Sequence, residues 1–137
     1  MAQHCGLLVA VARLGWLPQA HTEEDLDDGE DYSVCLVSLS ETSPTMPGMT
    51  SFPGGPIDLA DVALARSNIP QGSDPTSLAV RVAAVRQTFE GTGMLFAGRP
   101  PPDFARTELR QVLVRDGPTA FRACLEDWGI NLRPYSL

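Results

Sequence analysis

Between Asp74 and Gly93 the chain carries every signal of a helix, and no other stretch restricts the fold as much. Asp74 stands where an N-cap carboxylate accepts the first free backbone N–H groups, and Pro75 follows at the first helical position, where its missing N–H costs nothing. Leu78, Val82, Val85 and Phe89 then recur at helical spacing, so one apolar stripe has to be covered by the rest of the fold. Gly91 and Gly93 supply the stop and place the helix over about 75–90.

The flanking segments alternate in type. The run Ser33-Val34-Cys35-Leu36-Val37-Ser38-Leu39 is rich in β-branched and apolar residues and predicts a buried strand. From Pro44 to Pro56 proline and glycine dominate, which predicts turns with at most a very short extended piece at Ser51-Phe52. Asp103 can cap a second helix whose periodic residues Phe104, Leu109, Val112 and Leu113 lead to Arg115, where Gly117-Pro118 breaks it. A third, short helix over Pro118–Trp128 presents Phe121, Cys124 and Leu125, with Trp128 at its end, as an apolar face. Leu132–Leu137 reads as the start of a further strand, and residues 1–20 fit either a strand or a helix.

Composition narrows the function. With 137 residues the chain has one core's worth of length, and no apolar run reaches the ~20 residues of a membrane span. The net charge of -7 is local: Glu23, Glu24, Asp25, Asp27, Asp28, Glu30 and Asp31 form one acidic block, and acids and bases balance elsewhere. Such a block predicts a solvated, flexible extension, assigned to residues 1–31. All ten basic residues are arginine, which excludes a phosphate-loop lysine and Schiff-base chemistry, and they form no stripe for nucleic acid. Cys5, Cys35 and Cys124 are separated and lie in apolar surroundings, as expected of free thiols, and neither they nor His4 and His21 have zinc spacing. The start lacks the basic n-region of a secretory signal, and the ending Tyr135-Ser136-Leu137 lacks the basic residue of a peroxisomal address. An intracellular protein is expected, with peroxisome, mitochondrion and cytoplasm not distinguished.

Two motifs carry chemistry. Arg86-Gln87-Thr88-Phe89-Glu90-Gly91-Thr92-Gly93-Met94 resembles the second half of the Nudix box, Arg-Glu-x-x-Glu-Glu-x-Gly followed by an apolar residue. Upstream, Phe52-Pro53-Gly54-Gly55-Pro56-Ile57-Asp58-Leu59-Ala60-Asp61 resembles the opening found in the acyl-coenzyme A diphosphatase branch, and Thr45–Phe52 resembles the lead-in of its peroxisomal members. Gly48 and Ser40 fall on that branch's coenzyme A signature, whereas Leu39 and Pro44 stand where it has arginines.

The resemblance implies an α/β chain: a partial Nudix-type α/β/α sandwich with a mixed sheet, incomplete over residues 32–137, with the Nudix helix at about 75–90 and a helical insertion at about 103–128. It implies hydrolysis of a diphosphate linkage in a coenzyme A or nucleoside diphosphate derivative, assisted by Mg²⁺ or Mn²⁺. Hard cations need converging oxygen ligands. Positions 87, 90 and 91 share one helix face, where the box has three glutamates, and here they hold Gln87, Glu90 and Gly91. The implied metal set is Glu90, Gln87 and Asp61, with weak affinity. Glu90 and Arg86 are the implied catalytic pair, and Gly54, Gly55 and Phe52 the implied substrate contacts. With two carboxylates replaced, a weakened or inactive hydrolase relative is expected; the alternatives are a non-catalytic nucleotide or coenzyme A binder, an interaction protein, or a truncated product that self-associates.

Overall fold

The computed structural model describes residues 5–13, 32–43, 46–67, 73–97 and 103–132. They fall into two compact units, one drawn from Met1–Leu8 and Pro53–Leu137, the other from Val9–Phe52. The elements are β1 (Cys5–Leu7), β2 (Val11–Arg13), β3 (Tyr32–Val34), β4 (Val37–Ser38), β5 (Thr50–Ser51), β6 (Gly54–Pro56), α1 (Leu59–Ser67), α2 (Pro75–Thr92), α3 (Asp103–Asp116) and α4 (Thr119–Asp127). Every strand pair among the described residues is antiparallel: β1 with β6, β2 with β3, and β4 with β5.

The first unit is built around α2, which packs against α1, α3, β1 and β6. Its start follows the expected chemistry, since the Asp74 carboxylate accepts from the N–H groups of Thr76 at 3.2 Å and Ser77 at 2.9 Å. Its end lies two residues beyond the expected one. Gly91 continues the helix, and the chain turns only at Gly93, whose φ of 76° is left-handed and whose N–H returns to the Phe89 carbonyl at 2.8 Å. Arg110 of α3 donates from Nε to the Glu90 carbonyl at 2.8 Å and from Nη2 to the Gly91 carbonyl at 2.9 Å, satisfying acceptors that a helix end otherwise leaves to water.

The stripe Leu78, Val82, Val85 and Phe89 is buried as expected. Ala79, Ala83, Ala84, Arg86 and Thr88 are buried as well, so α2 is enclosed on most of its circumference. The ribbon of β1 and β6 reaches it through glycine. Gly6 and Gly55 are register partners. A Cβ on Gly6 would collide with the Val80 carbonyl oxygen and lie 2.9 Å from the Ala84 nitrogen, and one on Gly55 would collide with Oε1 of Gln87. Because the obstacle at Gly6 is helix backbone, no rotamer change relieves it. Gly6→Ala is expected to cost about 1–3 kcal/mol as overpacking, read as a lower midpoint in urea; an unchanged midpoint would show that the ribbon does not lie on α2.

α3 and α4 begin and end within about a residue of the expected bounds, with Leu109, Leu113, Phe121, Cys124 and Leu125 buried. Trp128 is exposed, because α4 ends before it in a Schellman turn: Gly129 donates to the Glu126 carbonyl at 3.1 Å and Ile130 to the Leu125 carbonyl at 2.8 Å, leaving Ile130 buried. No strand forms through Leu132, and residues 133–137 lie outside the described residues.

Cys5–Leu7 belongs to the first unit, where it pairs with Gly54–Pro56. The acidic block Glu23–Asp31 lies outside the described residues. The single buried strand expected at Ser33–Leu39 is two strands of the second unit, β3 and β4, whose partners are β2 and β5. From Val34 to Ser40 exposure alternates residue by residue, which is the pattern of a strand with one solvated face.

Candidate functional site

The residues singled out on α2 meet α1 through one buried ion pair. Asp58 precedes α1 and its Oδ1 accepts from the Ala60 N–H at 2.8 Å, while Oδ2 of Asp61 reaches back to the Asp58 N–H at 2.9 Å. The arrangement is a variant of the capping box, in which Asp61 at N3 reaches back to the N-cap N–H while the N-cap carboxylate of Asp58 takes the N–H at N2. It fixes the Asp61 carboxylate at the base of α1, 1% exposed, where Arg86 meets it as a fork: Nε to Oδ1 and Nη2 to Oδ2, both at 2.8 Å. The remaining arm, Nη1, donates to Oε1 of Glu90 at 3.0 Å, one turn further along α2. Burial opposes the Arg86 charge, but the hydrogen bonds and charges of Asp61 and Glu90 outweigh it and hold the guanidinium pKa above its ordinary value. Arg86 is therefore a permanent cation that ties α1 to α2 and steadies Glu90.

Glu90 is the member of this cluster that reaches solvent, with 27% of its side chain exposed. Gln87 is turned onto the ribbon, where Nε2 donates to the Pro56 carbonyl and Oε1 lies against Gly55. Gly91 is exposed at the carboxyl-terminal end of α2, with open space where a Cβ would stand. Gly54, with φ of 146°, and Gly55 form β6, so their conformation and packing serve the ribbon. Phe52 is exposed and belongs to the second unit.

A magnesium or manganese site does not fit this donor set. Both oxygens of Asp61 are taken by Arg86 and the Asp58 N–H, the Gln87 amide is engaged with β6, and one oxygen of Glu90 is taken by Arg86. Among the described residues no three of His, Cys, Asp and Glu converge into a group that can hold a metal ion. Nucleophilic chemistry has no better candidate in Cys124, whose thiol pKa is pushed up by burial and by the nearby charges of Asp127, Asp116 and Glu108. Sequence reasoning missed the Gln87 latch and the Arg110 clamp on the end of α2; both join segments about 20–31 residues apart, beyond the reach of local periodicity.

No protein-family model matches the chain, and no curated protein matches it. Among solved structures, the crystal structure of a NUDIX hydrolase from Alicyclobacillus acidocaldarius is similar, with a TM-score of 0.66 at 23% identity over 96% of this chain. The chain spans 57% of the length of that protein. No helix among the described residues is long and apolar enough to cross a membrane. The mixed α/β chain, with small antiparallel strand pairs and four helices among the described residues, has a fold similar to that of a Nudix hydrolase.

Proposed function

We propose that the chain is a Nudix-type relative that binds a diphosphate-containing nucleotide or coenzyme A derivative and has lost most or all of the hydrolytic step. The reading is carried by one observation: of the three α2 positions that share the face of Glu90, only Glu90 offers a carboxylate, and its neighbours Gln87 and Asp61 are spent on structural bonds. Fold alone does not assign chemistry. Similarity to a Nudix hydrolase supports the ligand class, and the donor set supports the loss of metal-assisted cleavage.

Titration calorimetry with ADP-ribose and with coenzyme A, each with and without millimolar Mg²⁺, tests the reading. Saturable binding of at least one ligand, with affinity unchanged by Mg²⁺, is expected. Binding that appears only with Mg²⁺ would contradict the loss of the metal site, and no binding of either ligand would contradict the ligand class.

A further inference from the structure

We propose that the cleft between α1 and the amino-terminal end of α2 is a second binding site, for a small amphiphile with a compact apolar body and one anionic head held by Arg66. The cleft has a volume of about 350 Å³, within the range of small-ligand sites. Ile57, Leu59, Val62, Pro75 and Ala79 make its walls. Leu59, at the first position of α1, is 86% exposed, so its side chain is open to a ligand in the cleft.

Arg66 supplies the polar anchor. It sits in the last turn of α1 at the rim of the cleft. Every other arginine on the four helices has a hydrogen-bond or electrostatic partner: Arg86 with Asp61 and Glu90, Arg110 with the end of α2, Arg115 with Asp116, Arg122 with Glu126, and Arg81 and Arg106 likewise engaged. Arg66 alone makes no hydrogen bond or ion pair among the described residues. One acid, Asp58, also lines the cleft, but its Oδ1 caps α1 at the Ala60 N–H. It stands before the first turn of α1 and Arg66 in the last, about 12 Å apart along the helix axis. An anionic head at Arg66 thus sits at the end of the cleft away from the carboxylate.

The size of the occupant follows from the volume. At ~30 Å³ per water-sized group the cleft holds on the order of ten heavy atoms, the size of octanoate. Glu90 itself lies far from the cleft, because the fourteen residues from Thr76 to Glu90 span about 21 Å of helix, while Asp58 in the lining donates its N–H to Asp61 of the ion-pair cluster.

Octanoate titrated into the full chain, followed by backbone amide NMR and calorimetry, tests the proposal, with octanol supplying the body without the charge and acetate the head without the body. Saturable shifts at Val62, Arg66, Thr76 and Ala79 are expected. Arg66→Gln is expected to weaken octanoate about tenfold, the loss of one charge-assisted hydrogen bond, while leaving the unfolding midpoint unchanged. Val62→Phe, which fills the cleft, is expected to abolish binding. Glu90→Gln is expected to leave octanoate binding intact, so failure of ADP-ribose binding leaves this site standing. No saturable shift, octanol or acetate binding as tightly as octanoate, or full affinity in Arg66→Gln or in a folded Val62→Phe would each overturn it.

Discussion

Arg86→Met is expected to lower the stability of the fold by about 3–5 kcal/mol, the penalty for removing one partner of a buried ion pair. Asp61 would remain 1% exposed with only the Asp58 N–H to satisfy it, and Glu90 would lose its donor. The same principle predicts a rescue. Arg86→Met combined with Asp61→Leu removes both charges and restores apolar packing, so it should recover part of the loss; recovery is incomplete because Asp61 also closes the capping box of α1. Urea unfolding of the two variants checks this. A loss below about 1 kcal/mol in Arg86→Met would mean that the pair is wetter and weaker than its burial implies.

Restoring carboxylates at the two replaced positions is expected to create a metal response. In the double variant Gln87→Glu with Gly91→Glu, three carboxylates stand on one face of α2, an arrangement suited to a hard cation. Gly91 has room for the new side chain, and losing a helical glycine contributes about 0.5–1 kcal/mol, offset in part by a negative charge at the wrong end of the helix dipole. Gln87→Glu carries the larger cost. It removes the N–H that meets the Pro56 carbonyl and sets a carboxylate there, a loss of about 1–3 kcal/mol for the unsatisfied acceptor. Manganese at a hundred times its dissociation constant should then stabilise the double variant by about 2.7 kcal/mol and leave the parent chain unmoved. Equal thermal shifts in parent and variant would show that Gln87 and Gly91 are not what limits metal binding.

The parts of this structure that were legible in the sequence are those fixed by neighbours in the chain. The cap at Asp74, Pro75 at the first position and the stripe ending at Phe89 specify α2 within a few residues, and Gly117-Pro118 separates α3 from α4. What was not legible depends on distant partners. The apolar run near Gly6 fits a strand or a helix until β6 is there to pair with it. Gly54 and Gly55 carry the composition of a turn, yet they form a strand, and Gly55 is small because it faces Gln87. α1 was open to prediction from the Asp58 and Asp61 spacing, since aspartates three apart before an apolar run can close a capping box, but the same pair also reads as a loop of metal ligands. At the site, the identity of Gln87 and Gly91 was plain in the sequence. That Gln87 is latched to β6, and that Asp61 spends both oxygens on Arg86 and the Asp58 N–H, follows only from the packed arrangement.

The most direct test of the account compares hydrolysis of ADP-ribose and of coenzyme A by the chain and by its Glu90→Gln variant in millimolar Mg²⁺. Glu90 is the solvent-reaching carboxylate of the cluster, and the substitution keeps its shape while removing its charge. The two proteins are expected to release product at the same rate. A rate in the parent chain that clearly exceeds that of Glu90→Gln would contradict it, showing that one carboxylate beside Arg86 suffices for catalysis.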